Sequence, residues 1–396
     1  MKLTAINIEE RQTRYEKRTD IFQNGIDNAY PTLVERLVNA SPTAMTCAGL
    51  VAKFISCKGF IFEEESRLNA KNSGIRFHKG IYEVNRKGDT PSRLLKKVAQ
   101  SIAMHRGCFV HVNYNALYQK TSLQLLPYKW CRLGKEDSEG YKGKIIVYDN
   151  WDLTKRGGIK KADFEIFDIY NPDPKVIQAQ VEKSGGWQFY KGQIYFLNLD
   201  HNDTYPLPYA DSVLLDCESE RQSAIFINNG FKKSFFGKHA LFTQPFESDR
   251  ERDDFKEELK KSFGVESTET ILHFEKTLTS ESFKDEFLLE KIESNINDKT
   301  FEYTDKKIAR NIRVAFGNIP PVLIDMVEGK LGNTSGESLV EAQHFMQLQT
   351  EDERSEIEDM FEELCNNFHK PLSPNGLYQI KLFIENSEET RDKDKG

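Results

Sequence analysis

Several features that would place a protein in a membrane or an oxidising compartment are missing from this sequence. No window approaches the ~20 consecutive apolar residues of a membrane span. The N-terminal stretch MKLTAINIEERQTRYEKRTD mixes both signs of charge and has no apolar centre, so it does not resemble a signal peptide. The six cysteines are single and widely spaced, without a C-x-x-C pair, which is typical of reduced thiols in a cytosolic setting. We therefore expect a protein that is made in a cytoplasm and has no membrane partner.

An excess of positive charge is missing as well. The chain has 55 lysines and arginines against 62 aspartates and glutamates, a formal net charge of −7. Proteins that hold DNA tightly through its phosphates usually present a basic face. We expect any contact with nucleic acid to be local, weak or repulsive.

The sequence also lacks the motifs of several enzyme classes. The segment GKLGNTSG at 329–336 resembles a phosphate-binding loop, but a P-loop requires a Gly-Lys-Ser/Thr triplet, and here Lys330 is followed by Leu331. No serine lies in a G-x-S-x-G elbow. The acidic runs FEEES and EDERSEIED are more typical of solvated surfaces than of paired catalytic carboxylates, which usually come from separate elements. We expect no cofactor and no catalytic residue.

One spacing is compatible with metal binding. His105, Cys108 and His111 form an H-x-x-C-x-x-H pattern that could supply three zinc ligands. In a strand, however, residues three apart face opposite sides of the sheet. The pattern therefore favours a structural role, and no metal is expected.

What the sequence does contain is typical of an α+β protein. Hydrophobic residues make up 38% and charged residues 30%, and the 27 phenylalanines predict a core, or interfaces between subunits, with aromatic anchors. Helical periodicity appears near 31–38, 43–58 and 94–105. From 108 to about 198 the segments are short, β-branched or aromatic, and bounded by Gly, Asn and Pro, which predicts an antiparallel meander.

The second half is mainly helical by pattern. Asp211 is a candidate cap for a helix that Asn229-Gly230 would end. A charged helix follows at 248–263, then a strand in ETILHFEK. Two T-x-x-E capping boxes begin at Thr334 and Thr350, and the second predicts a kink or restart of the helix. PLSPNGLYQIKLFIEN is predicted to close the fold as a strand, followed by a disordered tail.

Two segments carry charge patterns that suggest binding. In the predicted helix 301–317, Lys306, Arg310 and Arg313 form one basic stripe, beside an apolar stripe. In FKKSFFGKHALF, Lys232 and Lys233 lie among aromatic residues, the mixture found on single-strand stacking surfaces. For the second segment we favour a loop that anchors its phenylalanines in an interface.

The order of these pieces resembles the portal proteins of tailed bacteriophages, in the branch common among phages of Bacteroidetes-type hosts. The carriers of the resemblance are LLDCESERQSAIFINNGFKKSFFG, FKEELKKSFG followed by ETILHFEK, and KKIARNIRVAFGNIPPVLIDMVEGKLGNTSGESLVEAQHFMQ. Upstream, HRGCFVHVNYNALYQKTSLQLLPYKWCRL is similar to the family's wing strands. The resemblance covers about residues 20–385, and the order of the motifs carries it more than any single motif does.

The resemblance implies a portal-type α+β fold with the following division: a wing at 1–247, a first stem helix at 248–263, a small β-containing clip at 264–300, a second stem helix at 301–317, a tunnel-loop region at 318–335, a long kinked helix and closing strand at 336–386, and a disordered tail at 387–396. Because only a short polar tail follows the closing strand, the helical crown of many relatives is expected to be reduced or absent.

It also implies a structural, non-enzymatic role. About twelve subunits would form a closed ring at the capsid vertex of a virion, assembled in the host cytoplasm, and double-stranded DNA would be packaged and ejected through it. The implied partners are the large terminase, the head-tail adaptor and the major capsid protein.

The predicted channel loop has the composition that such a role needs. Its expected residues are Glu328, Gly329, Lys330, Gly332 and Asn333. A lysine-rich lining would hold DNA through counterion release, whereas a nearly neutral loop in an acidic assembly would let it slide. The basic stripe of the second stem helix has two interpretations: a thin basic belt in the channel, or, as we favour, pairing between subunits with Asp254, Glu257 and Glu258.

Two other classes of function remain open at this point. One is a cytosolic enzyme, for example a metal-dependent nuclease that uses scattered carboxylates. The other is a monomeric nucleic-acid-binding protein centred on Lys232 and Lys233.

Overall fold

The structure is a computed structural model. It describes residues 13–16, 20–77, 79–136, 142–151, 164–200, 204–232, 239–243, 246, 248–263, 271–275, 287–291, 298–324 and 335–384. The chain divides into two compact units. The first contains Met1–Cys217 and Asn311–Gly396, and the second contains Glu218–Arg310.

Helices dominate the described residues. They are α1 Tyr30–Ala40, α2 Pro42–Ser56, α3 Ile61–Asn72, α4 Pro91–His105, α5 Pro174–Ser184, α6 Leu214–Lys232, α7 Asp249–Phe263, α8 Asp298–Ala315, α9 Ser335–Gln349 and α10 Glu351–Cys365. The strands are β1 Thr13–Glu16, β2 Ile21–Asn24, β3 Gly107–Tyr114, β4 Lys120–Leu126, β5 Cys131–Leu133, β6 Lys144–Val147, β7 Glu165–Ile169, β8 Gln193–Asn198, β9 His239–Thr243, β10 Ile271–Glu275 and β11 Phe287–Lys291. The predicted α+β class is confirmed. Within the described part of the chain, no helix has the length and apolar character needed to cross a membrane.

The main sheet of the first unit has six strands in the order β4-β3-β8-β7-β6-β5. Neighbouring strands are antiparallel except β7 and β8, which are parallel. The prediction of an antiparallel meander is therefore wrong in two respects: β7 and β8 are parallel, and β3 pairs with β8, so that the consecutive strands β4 and β5 lie at opposite edges. A parallel pair needs a crossover connection, and α5 lies in that connection.

The sequence reading missed α5 although its ends carry ordinary signals. Asp173 precedes the helix and accepts a hydrogen bond from the Lys175 backbone N–H at 2.9 Å, and Pro174 occupies the first turn. Gly185, with φ +88°, ends it in the left-handed region. The segments on both sides of α5 are rich in aromatic residues, which favour strands.

The core of the first unit has two parts. The first part is formed by residues of the six-stranded sheet and the loops next to it, in a cluster of fully or nearly fully buried side chains that includes Phe109, Tyr128, Leu133, Phe167 and Ile194. The helical part has an aromatic centre, where the Phe60 ring lies 5.0 Å from that of Phe361 and 5.3 Å from that of Tyr378. These aromatic contacts join α10 to the chain just before α3.

The second unit has a three-stranded sheet in the order β10-β9-β11, in which β9 is parallel to β10 and antiparallel to β11. The strand predicted in ETILHFEK is β10. FKKSFFGKHALF was predicted to be a loop, but its last residues form the central strand β9. Lys232 is the last residue of α6, and Lys233 lies outside the described residues.

Three predicted helix boundaries need correction. The helix α6 runs through Asn229-Gly230 to Lys232. Asp211 is not directly before it but begins a 3-10 helix, Asp211–Val213, that precedes α6, and its carboxylate accepts a hydrogen bond from the Tyr30 hydroxyl. The second stem helix was placed at 301–317, but α8 is Asp298–Ala315. The first stem helix, predicted at 248–263, corresponds to α7 within one residue.

The helix predicted after the tunnel loop is broken at Thr350, as expected, but not by the predicted capping box. The Thr350 hydroxyl donates to the Met346 carbonyl at 2.9 Å and accepts from Arg354 at 2.7 Å. The other predicted box begins at Thr334, outside the described residues.

The predicted closing strand does not form. Its described part, up to Ile384, contains one isolated bridge, between Ile380 and Phe60. Around this bridge, three backbone hydrogen bonds of 2.8–3.0 Å join 379–381 to 58–61. Side chains bind the rest: the Gln347 amide exchanges two hydrogen bonds with the Ile384 backbone, at 3.0 and 2.8 Å, and Glu358 accepts from the Ile380 N–H at 2.7 Å.

Candidate nucleic-acid channel elements

The helix α8 is strongly amphipathic. Its apolar side is buried: Ile308 is 6%, Ile312 0% and Phe316, just after the helix, 2% exposed. Lys306 and Arg310 are exposed, and Arg313 is half-buried. The two stripes predicted from the sequence therefore have opposite environments, the apolar stripe being buried and the basic stripe exposed at Lys306 and Arg310.

The chain leaves α8 through a tightly bonded turn. Gly317, at φ +93°, and Asn318, at φ +53°, both have left-handed backbones, which end the helix. The Asn318 N–H donates to the Val314 carbonyl at 3.1 Å, and that of Ile319 donates to the Arg313 carbonyl at 3.0 Å. Pro320 then adopts an extended backbone and precedes a short 3-10 helix, Pro321–Leu323. The start of the predicted tunnel-loop region thus has a defined direction.

The five predicted channel-loop residues, Glu328, Gly329, Lys330, Gly332 and Asn333, lie outside the described residues. Their role stays a prediction. The described helices α8 and α9 bracket this segment on both sides, because one ends at Ala315 and the other begins at Ser335.

A polar network in the first unit holds the C-terminal end of α8. The Asn311 amide donates to the Asp216 carboxylate at 3.1 Å. The Tyr209 ring lies 6.1 Å from that of Phe316, and its hydroxyl donates to Glu353 at 2.5 Å. Burial, together with the Glu353 carboxylate, raises the pKa of Tyr209. The end of α8 and the start of α10 are therefore joined through one side chain.

The predicted partners of the α8 stripe lie on α7. Asp254 and Glu257 are exposed, and Glu258 follows in the same helix. Within α7, Arg252 pairs with Asp249 at 2.7 Å, and the Phe255 ring lies 5.3 Å from that of Phe246, which precedes the helix. Exposed acids on α7 and exposed cations on α8 are compatible with the predicted pairing between subunits.

The sequence reading missed a buried arginine at the junction of α9 and α10. Arg354 is 7% exposed and donates to the Gln347 carbonyl at 2.6 Å and to the Thr350 hydroxyl at 2.7 Å. It lies inside EDERSEIED, which was read as a solvated surface. The signal was available in the spacing, because Arg354, Ile357, Phe361 and Leu364 share one helix face.

The candidate zinc ligands have separate partners. The His105 ring stacks on Tyr128 at 4.4 Å and lies 3.3 Å from the Glu35 carboxylate, and burial lowers its pKa. Burial raises the pKa of Cys108 to about 12. His111 donates to the Lys191 carbonyl at 2.6 Å. A search of the described ranges finds no group of three or more histidine, cysteine or carboxylate side chains placed to hold a metal.

Comparison with known proteins gives matches of structure only. No protein-family model matches the sequence, and no curated protein does. A chain in the neck of an empty gene transfer agent (GTA) particle, computed with C6 symmetry, is similar with a TM-score of 0.53 and 12% identity over 92% of this chain and 87% of that chain. A chain in the virion of a native GTA particle is similar with a TM-score of 0.50 and 10% identity, over 93% and 87%.

A third structure is that of an HK97 family phage portal protein from Corynebacterium diphtheriae, with a TM-score of 0.42 and 9% identity over 83% of this chain and 89% of that chain. That score is too low to support an argument. At identities near 10% the two GTA matches show a shared fold, and this fold extends over nearly the whole of both chains.

Proposed function

We propose that this protein is a portal subunit: copies of it form a ring at one vertex of a phage-type capsid, and double-stranded DNA enters and leaves through the central channel. The observation that carries the proposal is the fold shared with a chain of a GTA particle neck over 92% of this sequence. The sequence motifs point to the same family independently of that fold. The assignment to the Bacteroidetes-phage branch stays a prediction.

The charge of the chain suits a channel for a polyanion. Each lysine or arginine that neutralises a phosphate releases counterions and adds affinity, so a basic channel would retain DNA. Each subunit here has a formal net charge of −7. Repeated around a ring, this charge repels the duplex from the wall and keeps it near the axis.

The segment between α8 and α9 forms the tunnel loop in this proposal. Glu328 and Lys330 cancel each other's charge, and Gly329, Gly332 and Asn333 add contact surface without a cation. The turn at Gly317, with Pro320 and Pro321 after it, supports the proposal because it sets the direction in which the loop begins. The loop touches passing DNA without holding it.

In the same proposal α7 and α8 are the stem helices. Lys306, Arg310 and Arg313 pair with Asp254, Glu257 and Glu258 of the neighbouring subunit. Pairing is favoured over a basic channel belt because exposed acids and exposed cations occur on two separate helices, which is what a contact between copies requires.

The remaining assignments follow from the family. The clip at 264–300 meets the large terminase during packaging and the head-tail adaptor afterwards. The wing contacts the major capsid protein. The protein is then a component of the virion, assembled in the host cytoplasm, and has no active site of its own.

Negative-stain electron microscopy of the purified full chain tests the proposal. We expect annular particles with an opening wide enough for a double helix, and weak DNA binding at physiological salt. A monomer whose DNA affinity falls steeply with salt would instead indicate a nucleic-acid-binding protein. Cleavage of DNA in the presence of Mn²⁺ would indicate a nuclease. Either result would overturn the portal assignment.

A further inference from the structure

The outer face of α10 is a strip of carboxylates. The helix has eight acidic residues and one basic residue, the buried Arg354. Six of the acids are exposed: Glu351, Asp352, Glu356, Asp359, Glu362 and Glu363. No salt bridge within the described residues reaches any of these six side chains. We call these six residues the acidic strip. Carboxylates spaced three and four apart on one helix repel each other, so a basic partner would relieve the strip.

Packing of α10 against the rest of the unit uses side chains other than the acidic strip. Its inner face is apolar and buried, with Ile357 and Phe361 both 0% exposed. Its C-terminal end is held by the buried Lys120, whose ammonium donates to the Glu363 carbonyl at 2.7 Å and to the Asn366 carbonyl at 3.0 Å. A cation at this end of a helix also interacts favourably with the helix dipole. The charges of the strip are therefore available for contact with another molecule.

A basic pocket of complementary character lies elsewhere on the same unit. Its volume is about 500 Å³, and its lining includes four cations, Lys58, Arg67, Arg93 and Lys96. Arg67 and Arg93 are exposed by 57% and 56%. Lys96 is exposed and has no partner within the part of the chain that the structure describes.

The two arginines of the pocket have long ion pairs: Arg67 lies 3.7 Å from Glu63, and Arg93 lies 4.0 Å from Asp89. Glu63 is 2% exposed, although its run was read as solvated from the sequence, and it accepts a hydrogen bond from the Ser92 N–H at 2.8 Å. The Glu63 carboxylate thus binds a backbone N–H of the first turn of α4. Glu64 pairs with Lys381, outside the pocket lining, at 3.6 Å. Four cations and two engaged carboxylates leave the pocket with a net positive charge.

We infer that the acidic strip of one copy of this chain docks into the basic pocket of the next. This inference rests on the proposed ring. Contacts around a cyclic ring of more than two copies are heterologous, so each subunit must carry two different, complementary patches. Guanidinium groups bind carboxylates through paired hydrogen bonds, and the two exposed arginines at the pocket provide them. The strip and the pocket set which faces of neighbouring wings meet.

Charge reversal tests the contact. One variant carries Arg93→Glu with Lys96→Glu in the pocket, and another carries Glu356→Lys with Asp359→Lys in the strip. The matched control, Lys175→Glu with Lys183→Glu, changes two exposed lysines of α5 and has the same net charge as the pocket variant. Circular dichroism and thermal melting show whether each variant folds like the natural chain.

We expect each patch variant to lower the fraction of chains in rings at least about tenfold, because like charges then face each other. The control should assemble normally. The quadruple variant, and an equimolar mixture of the two patch variants, should both recover rings, since every contact again joins opposite charges. Rescue by mixing is not possible for chains that have simply misfolded.

The outcomes separate this inference from the function on which it rests. If the natural chain forms rings and both patch variants do so equally well, the docking inference fails and the portal proposal stands. Loss of rings without rescue in either the quadruple variant or the mixture also overturns the docking. If the natural chain forms no ring, the portal proposal itself fails.

Discussion

Replacement of Arg354 by methionine provides the sharpest test of how the described fold is held together. The side chain is 7% exposed and joins the two helices that follow the tunnel-loop region. It donates two short hydrogen bonds, to the Gln347 carbonyl at 2.6 Å and to the Thr350 hydroxyl at 2.7 Å, and lies 3.4 Å from the Phe54 carbonyl. Methionine keeps much of the volume but removes every donor.

The expected loss can be estimated from these contacts. A hydrogen bond to a charged group contributes about 1.5–3 kcal/mol, so two short ones contribute about 3–6 kcal/mol. Removing a buried charge and keeping an apolar side chain offsets about 1–2 kcal/mol of this. We expect Arg354→Met to lower the free energy of unfolding by about 2–4 kcal/mol, and Tm by roughly 3–6 °C.

Thermal melting followed by circular dichroism measures the loss. Arg67→Met is the control, because Arg67 is 57% exposed and makes one long ion pair, at 3.7 Å; its Tm should stay within about 2 °C of the natural protein. The double variant with Thr350→Val should show coupling between the two sites, since they share a hydrogen bond. If the Tm of Arg354→Met equalled that of the Arg67→Met control, the stability of the junction of α9 and α10 would not depend on the buried arginine, and the reasoning would be wrong.

Three further predictions concern the loop, the turn and the pH response. In assembled rings, Glu328→Lys with Asn333→Lys should raise the affinity for DNA and steepen its salt dependence, because the added cations release counterions from the phosphates. Filter binding at several salt concentrations measures both quantities. If neither changed, these residues would not line the channel. Gly317→Ala should cost about 1 kcal/mol in urea unfolding, since φ is +93° there, and an unchanged midpoint would contradict the left-handed turn. Burial alone would raise the pKa of Asp89, but hydrogen bonds, including one from Lys97 at 2.7 Å, lower that pKa. The pair therefore contributes its full stability above the ordinary carboxyl pKa of about 3.9. This contribution is lost as the pH falls through the lowered pKa of Asp89. Tm measured from pH 7 to pH 3 should drop less in Asp89→Asn than in the natural chain, and parallel curves would contradict the pairing.

Local signals in the sequence were reliable where the chain itself imposes a conformation. The helix at α8 and its end were predicted from a 3.6-residue spacing and from Gly317 with two prolines after it. The strand β10 and the break at Thr350 were also located. Each of these depends on residues that are neighbours along the chain.

The errors arose where a distant partner decides the environment. Glu63 and Arg354 lie in charged runs, yet both are buried because Ser92 and Gln347, respectively, satisfy them. The segment ending at Ile384 has strand-like composition, but its backbone pairing is limited to one bridge, between Ile380 and Phe60, and the Gln347 and Glu358 side chains bind backbone groups beside it. No spacing rule reports a partner that the fold brings from elsewhere.

By itself, the sequence determined the α+β class, most helices, the charge of −7 that disfavours tight DNA binding, and the resemblance to a ring-forming family. Only the tertiary structure decided which charges are buried, that β7 and β8 run parallel, and that a net-positive pocket and an acidic strip occur on the same unit. The physical reason is that periodicity reports which face of an element is apolar. Burial, pairing and net local charge are sums over residues that meet only in the folded chain.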